Sequence, residues 1–167
     1  MLARSDDGRL LLRVERHDVR GILDAVAGRN DSRASAAGRK LEVEGPNEQV
    51  LTGDRMRLEQ ALGNLVDNAL RYGDGTVRIE ARTENGLLVL AVGDQGEGFP
   101  PEFLPHAFER FSRADVARTG GGGVGLGLAI VDAIARAHGG SARAANRVAS
   151  GAEVTIVLPW EHPTRGK

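Results

Sequence analysis

Apolar positions recur along this chain with more than one period, and the changes of period mark its elements. Leu58, Leu62, Leu65 and Ala69 recur at helical spacing between Asp54 and Tyr72 and predict one amphipathic helix. Val19, Ile22, Leu23 and Val26 predict a second, with Asp18 placed to cap it, and Asn30 to Gly38 reads as irregular or as its fraying end. Val124 to Ala137 predicts a third, with Leu128, Ala129, Val131, Ile134 and Ala135 inward and His138-Gly139-Gly140 ending it. Short apolar or alternating runs predict strands at Leu10 to Glu15, Lys40 to Glu44, Val50 to Thr52, Thr76 to Arg82, Leu87 to Val92, Ser141 to Arg147 and Ala152 to Leu158. Gly45-Pro46-Asn47, Glu84-Asn85-Gly86 and Ala149-Ser150-Gly151 read as turns, and Gly73-Asp74-Gly75 as a helix stop. Residues 93 to 123 carry no regular pattern beyond a short helix near Pro101 to Leu104; a stretch that long in a compact domain is functional or disordered. Strands in antiparallel pairs with helices between them predict an α+β fold, a two-layer α/β sandwich with a mixed, mostly antiparallel sheet and helices on one face.

Polar positions on the longest helix raise the first chemical question. Asn64, Asn68 and Arg71 form a second stripe, roughly 90–120° round from the apolar one. Asn is a poor helix former because its side chain competes for backbone hydrogen bonds. The stripe is either a solvated face or a set of amide oxygens offered to a hard cation such as Mg²⁺.

Composition narrows the classes. A net charge of −1 argues against a nucleic-acid binder dominated by phosphate contacts. The absence of cysteine excludes disulfides, zinc–thiolate sites and cysteine nucleophiles, and suits a reducing compartment. The longest apolar run, Leu87 to Val92, is too short to span a bilayer, and no signal peptide is visible at Met1. Together these predict a cytoplasmic location with no membrane contact by this chain.

Two further segments carry candidate chemistry. Asp94-Gln95-Gly96-Glu97-Gly98 follows an apolar strand: a carboxylate there can accept from an exocyclic amine, with Gly96 and Gly98 letting backbone approach a flat ring, or the segment is a plain turn. The run Gly120 to Gly127 opens a helix, as an anion site or as a linker. It is not a dinucleotide fingerprint, because no strand immediately precedes it and no acidic residue lies near position 145, and neither Lys40 nor Lys167 makes it a Walker A loop.

Taken in order, these segments resemble the catalytic ATP-binding domain of two-component sensor histidine kinases, within the superfamily of gyrase, Hsp90 and MutL-type ATPases. Asn64-Leu65-Val66-Asp67-Asn68-Ala69-Leu70-Arg71-Tyr72 is similar to the family's N box, Asp94-Gln95-Gly96-Glu97-Gly98 to its G1 box, Phe108-Glu109-Arg110-Phe111 to its F box and Gly123-Val124-Gly125-Leu126-Gly127-Leu128 to its G2 box. The resemblance implies the Bergerat fold over residues 9–160, with 1–8 as the end of a phosphoacceptor hairpin and 161–167 as a polar tail. It implies ATP and Mg²⁺ as cofactors. Asn68 would hold the metal, with Asn64 assisting. Arg71 would contact phosphates and Tyr72 would pack on the nucleotide. Asp94 would take the adenine amine beside Gly96 and Gly98. Gly123, Val124, Gly125, Leu126, Gly127 and Leu128 would cradle the phosphates. Residues 97–123 would form a lid anchored by Phe108 and Phe111, with Arg113 reaching toward phosphate. Arg71 stands where the family usually has Lys, which keeps the charge and changes its shape. Asn64 stands where hydrolysing members carry a Glu base; an amide cannot take a proton at neutral pH, which favours transfer to a protein acceptor.

The acceptor of that family is a His in a His-Glu/Asp-x-Arg-Thr-Pro context. Of His17, His106, His138 and His162, only His17-Asp18-Val19-Arg20 is a partial match, and Gly21-Ile22 replaces Thr-Pro. The chain is therefore expected to be the ATP half of a kinase, acting on a His-bearing dimerisation domain of the same kinase or of a separate chain, with a response regulator downstream. The alternatives are an anti-sigma-factor-type serine/threonine kinase of the same superfamily and a non-catalytic nucleotide-sensing module.

Overall fold

In the computed structural model, which describes residues 10–109, 127–148 and 150–160, helices cover one face of a five-stranded sheet. The elements are β1 (Glu15–Asp18), α1 (Val19–Ala36), β2 (Leu41–Glu44), β3 (Val50–Gly53), α2 (Arg55–Tyr72), β4 (Val77–Glu84), β5 (Leu87–Gly93), a 3-10 turn (Leu104–His106), α3 (Gly127–Ala137), β6 (Ser141–Asn146) and β7 (Ala152–Pro159). The sheet runs β2-β4-β5-β7-β6; β2 and β4 are parallel and the other pairs antiparallel, the mixed, mostly antiparallel sheet expected from sequence. β1 and β3 form a separate antiparallel pair.

One core lies between the layers. Ile22, Leu23 and Val26 of α1, Leu58, Leu62 and Leu65 of α2, and Val131 and Ile134 of α3 meet Ile79, Leu88, Leu90 and Ile156 of the sheet, all buried. Each helix presents the apolar stripe read from its period, except that Ala129 is only half-buried. Val89 and Ala91 are buried on the opposite face of β5 as well. There Arg82 sits across from Val89 and binds Glu80, Glu84 and Glu153, so its stem shields apolar strand while its head stays ion-paired.

Three expectations need correction. The first strand is not Leu10 to Glu15 but Glu15–Asp18, because its partner β3 is short and pairs Glu15 with Gly53 and Asp18 with Val50. Leu11 and Val14 are exposed, and the Arg13 amide donates to the Asp54 carboxylate (2.8 Å) instead of to a strand. Of the two readings of Asn30 to Gly38 the helix end holds and the irregular one does not: α1 continues to Ala36. Asn30 is buried, its Nδ2 donating to Val26 O (2.8 Å) one turn back. The helix ends on Gly38 at φ +69°, with Arg39 N donating to Ala34 O and Gly38 N to Ser35 O, the paired bonds of a glycine-terminated helix. The short helix expected near Pro101 to Leu104 is a turn there, followed by the 3-10 turn at Leu104–His106.

Candidate functional site

Helix α2 places the first group of site residues. Asp54 caps its N-terminus, accepting from Arg57 N (3.1 Å), so the register of the apolar stripe is fixed from the first turn. With Leu58, Leu62 and Leu65 turned into the core, Asn64 and Asn68 emerge half-buried. They face protein: Asn64 Nδ2 donates to Gly127 O (3.4 Å), and a Cβ at Gly127 would lie 3.9 Å from Asn68 Oδ1. Asn64 and Asn68 thus lie between α2 and the start of α3, whereas the third member of the stripe, Arg71, is exposed. One turn on, exposed Arg71 pairs with Asp67 (3.1 Å), which also holds Arg33 of α1. Tyr72 is 42% exposed at the end of the helix.

Asp94 is the second group. It directly follows β5 and is 6% exposed. Its Oδ1 accepts from Gly96 N (2.8 Å) and Ala152 N (3.4 Å), while no hydrogen bond to Oδ2 forms among the described residues. Behind it stands Gly73, where a Cβ would fall 2.4 Å from Asp94 Cγ and 2.5 Å from Oδ2. The end of α2 and the end of β5 are therefore in contact only because residue 73 has no side chain. Gln95 N donates to Asp74 O (2.8 Å) and Gln95 Oε1 accepts from Thr76 N (2.9 Å), which joins the two segments a second time.

The third group carries the chain away from Asp94. Phe99 stacks against Phe103 with ring centroids 5.3 Å apart; Phe103 and Ala107 are buried, and Phe108 packs half-buried against the core. Of the residues anticipated for the site, Gly127 and Leu128 open α3 as described, and the Leu128 side chain is 7% exposed in the core. Phe111, Arg113, Gly123, Val124, Gly125 and Leu126 lie outside the described residues, as do positions 110–123 of the expected lid.

Several residues of the site escaped the sequence. Asn146, at the end of β6, accepts from Phe99 N (2.6 Å) and donates to Phe99 O (2.9 Å), acting as one rung of a strand. Arg147 donates to Asp94 O (3.3 Å) and Ser150 to Gln95 O (3.4 Å), so the β6–β7 turn supports the Asp94 segment from behind. Arg39 donates to Ala69 O, Leu70 O and Gly75 O at the end of α2. None stands in a motif; only Gly38 before Arg39, as a helix-stop glycine, carried a signal. The histidines are placed plainly. His17 lies in β1 opposite Leu51, and His106 pairs with Glu109. His138 Nδ1 lies 2.8 Å from Ile134 O and its Nε2 accepts from Asp54 N (3.0 Å). A carbonyl can only accept and an amide only donate, so His138 is the Nδ1–H tautomer with both nitrogens used. His162 lies outside the described residues.

The described residues thus fall into two joined groups: Asn64 and Asn68 of α2 beside Gly127 at the start of α3, and Asp94 at the end of β5 against Gly73 at the end of α2. Residues 53–162 match the family model described as histidine kinase-, DNA gyrase B- and HSP90-like ATPase. The sensor histidine kinase component HK1 of Mycobacterium tuberculosis is 42% identical over 132 residues, covering 79% of this chain and 78% of that protein. The signal transduction histidine-protein kinase BaeS of Escherichia coli is 36% identical over 163 residues, 96% of this chain but 35% of its own length. Full-length ShkA, solved in complex with AMPPNP, superposes with a TM-score of 0.79 at 29% identity, over 90% of this chain and 32% of that one.

Proposed function

Because this chain belongs to the histidine kinase-, DNA gyrase B- and HSP90-like ATPase family and its relatives are sensor histidine kinases, we propose that it binds Mg²⁺-ATP beside α2, the end of β5 and the start of α3 and passes the γ-phosphate to a histidine of another domain or chain. The observation that carries this reading is Asp94: a buried carboxylate with Oδ1 held by two backbone amides and no hydrogen bond to Oδ2 among the described residues. A carboxylate that keeps one oxygen for an incoming donor suits the exocyclic amine of adenine.

The other walls fit the same ligand. Asn64 spends its Nδ2 on Gly127 O, which leaves its Oδ1 as an acceptor, and Asn68 Oδ1 lies 3.9 Å from where a Gly127 Cβ would stand. Among the described residues no group of three or more His, Cys, Asp or Glu side chains could hold a metal ion. Neutral amide oxygens with substrate phosphates completing the shell fit Mg²⁺, which takes few protein ligands and keeps waters. Bound there, the ion would neutralise charge on the transferring phosphoryl group, and Arg71 would add a second cation. Asn64 has no basic site to activate water, so the phosphoryl group waits for an imidazole. His138 has both nitrogens engaged and His17 lies in a strand, which supports an acceptor supplied from elsewhere: a histidine-bearing dimerisation domain, with a response regulator receiving the phosphate afterwards. A reaction that consumes ATP supports a cytoplasmic location. Residues 9–160 would be the catalytic unit, 1–8 the approach from the acceptor hairpin, and 161–167 a tail.

The relatives favour histidine over the serine/threonine kinase alternative. The test is incubation with γ-labelled ATP, alone and with a histidine-bearing hairpin. Acid-labile label on the hairpin only is expected. Stable label on this chain alone, abolished by His17→Gln, would overturn transfer in trans.

A further inference from the structure

Among the described residues, Arg39 is the one side chain that hydrogen-bonds to both ends of the link between α2 and β4. Its backbone position is fixed twice: Arg39 N terminates α1 on Ala34 O, and the next residue's carbonyl, Lys40 O, accepts from Val77 N at the start of β4 (2.9 Å). From that fixed point its half-buried side chain sends Nη2 to Ala69 O (3.2 Å), Nη1 to Leu70 O (3.2 Å) and Nε to Gly75 O (2.7 Å). The last carbonyls of a helix carry its partial negative charge, so a cation with several donors is well matched to them; Ala69 O takes Arg39 as a second donor beside Gly73 N. A planar guanidinium can reach three carbonyls at once; an ammonium is a point donor and cannot hold the same span.

What lies inside that span is Gly73, Asp74 and Gly75. Gly73 is in contact with the Asp94 carboxylate, Asp74 O accepts from Gln95 N, and Gln95 Oε1 accepts from Thr76 N. We propose that Arg39 is a positioning residue for base recognition: by bracing Ala69–Leu70 against Gly75 it sets where the Gly73–Gly75 turn presses on Asp94, and hence how tightly the site prefers a purine carrying a 6-amino group. The inference rests on Asp94 taking the adenine amine. Arg39 touches no ligand; it acts through the turn.

The experiment uses the full chain, calorimetric titration with Mg²⁺ and two probes, ATP and purine riboside triphosphate, which lacks the 6-amino group. Wild type should prefer ATP, and Asp94→Asn should erase that preference. Arg39→Lys, which keeps the charge near the helix end and loses the fork, should weaken ATP about tenfold and the other nucleotide by less than about twofold, shrinking the preference. Arg39→Ala should do the same, with a lower melting temperature. If Asp94→Asn erases the preference while both folded Arg39 variants keep it, Arg39 has no positioning role and the adenine reading stands. If Asp94→Asn keeps the preference, the adenine reading falls and this inference with it. Equal weakening of both nucleotides, or failure of both variants to fold, would make Arg39 a residue of general stability and overturn the proposal.

Discussion

Asp54 and Asp94 are buried to nearly the same degree, 7% and 6% exposed, and stand beside opposite ends of helix α2. Their hydrogen bonding separates them. Asp54 spends both oxygens on the protein, Oδ1 on Arg57 N and Oδ2 on Arg13 N, and its own amide donates to His138. Asp94 spends one oxygen twice and has no hydrogen bond to the other among the described residues. Asp54, with both oxygens bonded to backbone, is a fastener; Asp94, with one oxygen left over, is the proposed seat for the base. The surroundings agree: Asp54 ties the segment before β1 and the end of α3 to one helix cap, whereas Asp94 is crowded by Gly73 and framed by turns.

The largest effect expected from breaking this contrast is Asp54→Ala. It removes the N-cap and strands the Arg13 amide, so a loss of about 2–3 kcal/mol in unfolding free energy should appear in urea melts. The folded fraction should bind ATP as wild type does. Asp94→Asn should do the reverse, costing about 1–3 kcal/mol in ATP affinity by calorimetry with little change in melting temperature. If Asp94→Asn proved the more destabilising of the two, or Asp54→Ala the more damaging to binding, the distinction between fastener and seat would collapse.

Acid offers a smaller and more graded version of the first test. Burial pushes the Asp54 carboxyl up, but hydrogen bonds from Arg13 and Arg57 and the charge of Arg57 outweigh it and leave its pKa below the ordinary 3.8. A carboxyl depressed by folding contributes stability above its unfolded value and loses it as pH falls through its folded one. Stability of wild type should therefore drop as pH is lowered below 3.8, with a steeper slope than in Asp54→Asn, which cannot titrate there. Parallel slopes would mean that other carboxyls govern acid unfolding.

How much of this was legible depended on whether a residue's partner lay close in sequence. Asp18 and Asp54 were readable as caps or helix starts because a cap acts within three residues, and the three helices and the β4–β5 hairpin followed from period and turn chemistry. The ordered motifs singled out Asn64, Asn68, Arg71 and Asp94 as candidates for one site before any coordinates. What the sequence could not show was long-range polar pairing. Asn146 on Phe99 spans 47 residues, Arg39 on Gly75 spans 36, and His138 on Asp54 spans 84. No periodicity encodes such pairs. The strand expected at Leu10 to Glu15 failed for the same reason: its apolar run was right for a strand, but the available partner, β3, pairs only with Glu15–Asp18. The extension of α1 to Ala36 was left open between helix end and irregular chain, because a buried Asn30 bonding one turn back looks, in sequence, like a helix breaker.

The smallest effect sharpens the functional end of the comparison. Asp67 is shared by Arg33 and Arg71, with the three side chains 31%, 50% and 45% exposed, so this is a surface network with modest energy. Arg33→Ala should cost only about 0.2–1 kcal/mol of stability, less at high salt. Its effect on nucleotide should be indirect. With Arg33 gone, Asp67 has lost one of its two arginines and holds Arg71 more firmly, so Arg71 gives less to phosphate. ATP affinity should then fall by no more than about threefold, and added salt should close the gap, because screening weakens the competing pair. Asp67→Asn should move affinity the other way. An Arg33→Ala protein that binds ATP more tightly than wild type at low salt would show that Arg71 is not shared between Asp67 and the nucleotide.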